Sequence, residues 1–315
     1  MMILIVSHAS DLSADLVIKH LRDDRAKYLR LDTDRLGAPD YHFGFRDEPY
    51  LRIGDRVVLA SDVSAIWSRR FALPAVLSQF DPRYRDFAAR ELAGVMSAFV
   101  DANKAPQINR LIADRLAGNR LVQAARARSV GLRTPTTLVT QVSHEASEFA
   151  HSRPTVTKAV SFGRLTSADD FEELVVYTSN VSSDADFSRV VNCPTLLQER
   201  IAKVFDWRVT SVGSRLFAAR ARHTKDGSNV DWRRDPSTVR FESATLPKEV
   251  GDALVQLTVL SDIQFGAHDL VEDANGTFYF LETNPAGQWG WIELQLGLPI
   301  GRALADLLNG RPLGN

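Results

Sequence analysis

The chain has one cysteine, Cys193, among 315 residues. A single thiol excludes an internal disulfide framework and fits a reducing compartment, so the expected location is the cytoplasm. Sitting before Pro194, it reads as a small apolar residue and not as a nucleophile. An excess of one charge sign is also missing: 38 basic and 39 acidic side chains leave a net charge of −1 and a pI of about 6.7. Bulk electrostatics therefore points to neither nucleic acid nor an anionic membrane as partner. Apolar runs long enough for a membrane span are absent. The opening Met1-Met2-Ile3-Leu4-Ile5-Val6 turns polar within a few residues and lacks a basic segment, so it predicts a buried strand and not a signal sequence. Repeats, low-complexity runs and heptads are absent too. The glycines of a dinucleotide-binding loop are missing after the first strand, where Ser7-His8-Ala9-Ser10 stands instead.

What is present is ordinary for a globular α/β protein: 44% hydrophobic and 24% charged residues, and length enough for two or three packed subdomains. Ile3–Val6, the amphipathic Asp11–Arg22 and Lys27–Leu31 form a strand-helix-strand opening that predicts a parallel sheet. Strands are expected at Tyr41–Phe45, at Tyr50–Leu59 around a Gly54-Asp55 turn, and at Ala65–Arg69. A long helix over Pro82–Asn103 and a return at Gln107–Asn109 complete an N-terminal α/β domain, 1–110. A central unit, 111–197, opens with an amphipathic helix over Ala113–Val130 stopped by Gly131. It continues with strands at Thr136–Thr140, Thr155–Val160 and Leu196–Gln198. The remainder, 198–315, holds strands at Val204–Val212 and Phe217–Arg222, a polar stretch at His223–Arg234, and a helix at Lys248–Leu260. It ends with a hairpin at Ala267–Leu281 and a last helix from Pro299 to Leu308.

The hairpin carries the most chemistry. Asn275-Gly276 between apolar runs is a strong hairpin signal. A two-residue turn there sets Asp269 directly opposite Glu282. A four-residue loop sets Asp269 opposite Phe280 and diagonal to Glu282. In both registers Asp269, Glu282 and Asn284 share one sheet face. Facing carboxylates destabilise a strand pair unless a cation offsets them, and Mg²⁺ takes few protein oxygens while leaving positions for phosphate and water. The competing reading is a solvated polar stripe. The irregular Pro285-Ala-Gly-Gln-Trp-Gly-Trp291 that follows favours a site wall, with Gln288 and Trp289 shaping a pocket or filling the core. His268 points to the opposite face and reads as structural.

The pattern Asp269…Glu282-Thr283-Asn284 resembles the Mg²⁺-binding signature of the ATP-grasp superfamily. Other elements follow in that family's order. Gly118-Asn119-Arg120 opens a helix that Gly131-Leu-Arg-Thr-Pro135 closes, with Arg120 in place of the usual Lys. Thr155-Val-Thr-Lys158 is similar to its strand lysine, and Ser161-Phe-Gly-Arg-Leu165 to its phosphate-covering loop. Gln198-Glu199-Arg200-Ile201 with Asp206 resembles the adenine hinge and ribose acid. Within the superfamily, Phe280–Trp289, Asp206–Gly213, Asp231-Trp232-Arg233 and Ile66-Trp-Ser-Arg-Arg70 look like the graspetide (microviridin-type) ligases.

The resemblance implies an ATP-grasp fold behind an N-terminal parallel-sheet pre-ATP-grasp domain. It also implies an ADP-forming ligase using ATP and Mg²⁺. Such an enzyme would activate a Glu or Asp side chain of a ribosomal precursor peptide, leader plus core, as an acyl phosphate and close an ω-ester or ω-amide ring. By the same resemblance Asp269, Glu282 and Asn284 would hold Mg²⁺. Arg120 and Lys158 would hold phosphates, while Gln198, Glu199, Ile201 and Asp206 would cradle the nucleoside. Arg233 would clamp the acceptor carboxylate with Asp231 orienting it or the nucleophile, and Arg208 and Arg220 would serve phosphate or substrate. A homodimer is expected on the same ground. Two rivals stand beside this: a ligase joining a free amino acid or other amine to a carboxylate, and a non-catalytic nucleotide- or peptide-binding protein.

Overall fold

A computed structural model of the chain describes residues 1–72, 74–161, 164–166, 173–223, 237 and 239–312. In chain order the N-terminal part runs β1 (Met2–Ser7), α1 (Leu12–Asp23), β2 (Tyr28–Asp32), β3 (Tyr41–Phe45), β4 (Pro49–Ile53), β5 (Arg56–Leu59), β6 (Val63–Ser68), α2 (Pro82–Asp101) and β7 (Gln107–Ile108). The expected parallel sheet is there, ordered β2-β1-β6-β7, and β3-β4-β5 form a separate antiparallel meander. Asp11 starts α1 by accepting the Ser13 amide at 3.0 Å, which leaves one backbone donor fewer unsatisfied at the helix start.

The next stretch holds α3 (Leu111–Ala117), α4 (Arg120–Ser129), β8 (Thr137–Thr140), α5 (Ser143–Ser152), β9 (Thr155–Lys158), β10 (Arg164–Thr166), β11 (Glu173–Val175), β12 (Ser179–Val181) and β13 (Thr195–Glu199). The single helix expected over Ala113–Val130 is thus two. Asn119 breaks it, its side chain accepting the amides of Leu121 and Val122 at 3.0 and 3.2 Å and so beginning a new helix at Arg120. The antiparallel sheet β12-β9-β13-β8 follows. Because β13 ends at Glu199, a division after residue 197 falls inside that strand.

The last stretch holds β14 (Lys203–Val212), β15 (Arg215–His223), β16 (Val239–Ser243), α6 (Lys248–Leu260), β17 (Phe265–Asp273), β18 (Phe278–Asn284), α7 (Gly290–Leu296) and α8 (Ile300–Leu308). Its antiparallel sheet is ordered β16-β15-β14-β17-β18. Not anticipated were α5, β10, β11, β12, β16 and α7, the last standing partly where an irregular loop was expected. On one face of this sheet Trp207, Val209, Ala218, Leu270 and Phe280 pack against Ala127 of α4 and Leu254 and Leu257 of α6. The other face starts polar and ends apolar. Its apolar end, Val212, Phe217, Ala219 and Phe265, joins one core with Ile3, Ile5 and Trp67 of the N-terminal sheet and with Ile300 and Leu304 of α8. Beginning and end of the chain therefore share a core, and the polar end of that face carries Asp206, Arg208 and Asp269.

Candidate active site

The hairpin adopts neither expected register throughout. Asp273 N donates to Thr277 O at 3.1 Å, and the Asp273 carboxylate accepts the amides of Asn275 and Thr277 at 2.8 and 2.9 Å. With Gly276 in the left-handed region, φ +74°, this makes a three-residue turn. Continued regularly, that turn would set Asp269 against Leu281. A bulge at Leu281 intervenes: Leu270 pairs with Phe280, yet Asp269 pairs with Glu282 and Ala267 with Asn284. Phe280 N donates instead to Arg133 O at 2.8 Å. The convergence inferred from sequence is thus realised by a turn plus a compensating bulge.

Asp269, Glu282 and Asn284 meet as expected. Two unit charges about 4 Å apart repel by roughly 4 kcal/mol at an effective dielectric near 20, so both carboxylates need partners, and both have an arginine. Arg208, opposite Asp269 on β14, donates to Asp269 Oδ1 at 2.7 Å and to Gln288 O at 3.0 Å. Arg120 donates from Nε to Glu282 Oε2 at 3.0 Å, and from Nη1 to the carbonyls of Ala159 and Ser161 beyond β9. The remaining carboxylate oxygens, Asp269 Oδ2 and Glu282 Oε1, face the Asn284 amide at 3.5 and 3.2 Å. A half-turn of that amide presents its oxygen in the same place. Two carboxylates and one amide oxygen are a donor set suited to Mg²⁺, which keeps positions for phosphate and water. Among the described residues no group of three or more His, Cys, Asp or Glu is placed to hold a metal, so this hard-oxygen corner is what the face offers.

The other residues expected to hold the nucleotide are carried by β9, β13, β14 and the link between the last two. Lys158 on β9 and Gln198 on β13 share one face of the central sheet, since Lys158 pairs with Leu196 and Val156 with Gln198. The opposite face, through Leu197, packs on Ala146 and Ala150 of α5. Gln198 donates to Thr137 Oγ1 at 2.9 Å, and Glu199 accepts from Thr136 Oγ1 at 2.8 Å. These two side chains thus hold the strand end after which Ile201 follows, its carbonyl accepting Lys203 N at 2.9 Å. Asp206, buried, pairs with Lys203 Nζ at 2.7 Å. It lies two residues from Arg208 on the same face, roughly 7 Å along the strand.

Other expected members fall elsewhere. Arg220 pairs with Trp207 across the ladder, so it lies on the face opposite Arg208. It stacks on Phe205 and bonds Glu242 at 2.7 Å, so it is not part of the cluster. Asp231 and Arg233 lie outside the described residues, as does part of the Ser161–Leu165 loop. Trp289 is fully buried in the shared core, whereas Gln288 accepts Ser13 Oγ at 3.3 Å. A Cβ on Gly287 would come within 2.5 Å of Ala267 Cβ and 2.9 Å of Arg208 Nη2, so only glycine lets this loop close over the site. His268 is buried on the other face between Ser211 Oγ (3.0 Å) and Thr283 Oγ1 (2.8 Å). Burial, then the nearby Arg208 charge, pushes its pKa down to about 3.

Sequence reasoning missed three residues. Lys203 partners Asp206. Gln123 clasps the outer edge of β18, donating to Thr283 O at 2.7 Å and accepting Thr283 N at 2.9 Å. Asn109 ties the N-terminal sheet to the hairpin. Gln123 was detectable as a polar residue on the stripe that Ala127 places in the core, and Asn109 as a polar residue at the end of a parallel strand.

The architecture matches known proteins along its length. Residues 2–115 match the family model of the MvdD pre-ATP grasp domain. Over 98% of this chain and 100% of the other, the fold superposes on macrocyclase MdnC from Microcystis aeruginosa MRC, bound with precursor peptide MdnA, at 27% identity and TM-score 0.86. The chain has the ATP-grasp fold. Two further structures share the ATP-grasp fold at lower identity. A RiPP-associated ATP-grasp ligase of Chryseobacterium gregarium, in complex with ADP and a leader and core peptide, matches at 23% identity and TM-score 0.87, over 99% of this chain and 98% of that one. ATP-grasp ligase PsnB, complexed with a phosphomimetic variant of minimal precursor, Mg and ADP, matches at 20% and 0.77, over 98% of each chain. The chain resembles the graspetide-type ligases. Comparison with curated proteins gives no match.

Proposed function

We propose that this ATP-grasp protein is an ADP-forming ligase that activates a Glu or Asp side chain of a ribosomal precursor peptide and closes an ω-ester or ω-amide macrocycle. The observation that carries the reading is the full-length likeness to MdnC, joined to the convergence of Asp269, Glu282 and Asn284. A carboxylate is a poor acyl donor because its oxygen leaves badly. With ATP and Mg²⁺ bound, the γ-phosphoryl group becomes available for transfer to that oxygen. Asp269, Glu282 and Asn284 would hold the metal, and Arg120 and Lys158 would neutralise phosphate charge as it develops. Asp206 would take the ribose hydroxyls, with the backbone after Gln198 and Glu199, around Ile201, against the base. Arg208 anchors Asp269 and the Gln288 carbonyl and would serve phosphate or substrate from there. Arg233 would fork onto the acceptor carboxylate, with Asp231 beside it. A hydroxyl or amine of the same peptide then attacks the acyl carbon, loses its proton and releases phosphate.

The parts assigned to 1–110, 111–197 and 198–315, a homodimeric assembly and a cytoplasmic setting belong to the same proposal. No helix among the described residues is long and apolar enough to cross a membrane. The test is mass spectrometry of a Thr/Ser/Lys- and Glu/Asp-rich peptide encoded beside this chain, incubated with protein, ATP and Mg²⁺. Loss of one water per ring with one ADP released is expected. Joining of two molecules would favour the amine-ligase reading, and no peptide-dependent ADP release would leave only a binding protein.

A further inference from the structure

Asn109 stands just past β7 and is 2% exposed. Its Oδ1 accepts Gln264 N at 2.7 Å and Phe265 N at 2.9 Å. Its Nδ2 faces Phe265 O at 2.8 Å, Pro285 O at 3.2 Å and Asp114 Oδ1 at 2.8 Å. Phe265 begins β17, and Pro285 follows Asn284 at the end of β18. These are the two chain ends at the open mouth of the hairpin, just beyond its last pair, Ala267 with Asn284. The closed end is secured by its turn; the mouth has no turn, and one side chain bridges it. A primary amide presents two N–H donors and an oxygen acceptor side by side in one neutral plane. A carboxylate there would set oxygen against two carbonyls, and a methyl group would leave all of these backbone groups without that partner. Asp114, in turn, fixes the amide from the α3 side.

We infer that Asn109 is a positioning residue for the metal-nucleotide site, stapling the hairpin mouth so that Asn284 and Glu282 stay in register with Asp269. The inference rests on the proposed ligase reading of that site. Groups that orient metal ligands typically change metal affinity by about 10–100-fold when removed. The test uses the full chain and ADP as probe, titrating Mg²⁺ and following nucleotide binding by calorimetry, with thermal denaturation alongside. Mg²⁺-dependent ADP binding by the unaltered protein is the control for the site itself; its failure removes the ligase reading, and the inference with it. Given that control, Asn109→Ala is expected to raise the Mg²⁺ concentration for half-maximal ADP binding about tenfold or more. A folded Asn109→Ala protein with unchanged half-saturation overturns the inference and leaves the site intact. Should that variant fail to fold, Asp114→Ala decides: a rise of about threefold supports the positioning role, and no rise overturns it.

Discussion

The two faces of one sheet carry nearly the same chemistry to different ends. On one face Arg208 pairs with Asp269, side chains 10% and 19% exposed; on the other Arg220 pairs with Glu242, 36% and 59% exposed. Both contacts are 2.7 Å, so length does not separate them. Convergence does. Around Arg208 stand a second carboxylate, an amide and a loop that tolerates only glycine at 287, while Arg220 stacks on an aromatic ring at the rim. Residue type and spacing made the two arginines equivalent in sequence. The parity of one residue along adjacent strands sends them to opposite sides.

The largest contrast between the faces should appear in rate. Glu282→Gln keeps the shape of the proposed metal corner and removes one charge, so ADP release is expected to fall about a hundredfold or more, roughly 3 kcal/mol. Arg220→Ala should leave it within about twofold. Retained ATP turnover in Glu282→Gln would sink the metal assignment. Next comes stability. Arg208→Ala strands a largely buried Asp269 carboxylate and is expected to cost about 3 kcal/mol in urea unfolding, against at most about 1 kcal/mol for Arg220→Ala. Equal costs would mean that the difference in burial has no energetic meaning.

A smaller effect tests the seam behind the site. Burial pushes the Asp114 carboxyl up to about 6, the hydrogen bond from Asn109 and the charge of Arg69 pulling the other way without prevailing. The folded state therefore holds this proton more tightly than the unfolded chain, whose carboxyl titrates near 3.8. The contribution is complete below pH 4 and is lost as pH rises to about 6, amounting to roughly 2–3 kcal/mol. Asp114→Asn should flatten that part of the pH–stability curve, and an unchanged slope between pH 4 and 6 would contradict it. Smallest of all, 0.5 M salt should leave the stability difference due to Arg208 nearly intact and erase most of that due to Arg220, since screening acts on exposed pairs.

Much of this was readable beforehand where local chemistry decides. The strand-helix-strand opening, the Gly54-Asp55 turn, α6 and the shared face of Glu282 and Asn284 follow from periodicity and turn residues. The elements missed have weak local signals. In α5 only Ala146 and Ala150 are buried, and α7 is seven residues long with two glycines at its bounds. The break at Asn119 was visible as a cap, yet the apolar spacing ran through it. The hairpin shows the limit most clearly: its turn residues were recognised, but the Leu281 bulge is flanked by contacts from Arg133 and Gln123, more than a hundred residues away.

By itself, then, the sequence determined which residues could carry the chemistry and that Glu282 and Asn284 would share a face, because alternation along a strand is a local property; the bulge that brings Asp269 onto it is not. Only the tertiary structure decided that Arg120 and Arg208 neutralise them, that Arg220 does not join them, and that Asn109 closes the hairpin mouth. Those contacts join segments far apart in the chain, and no local preference encodes which side chain will arrive there.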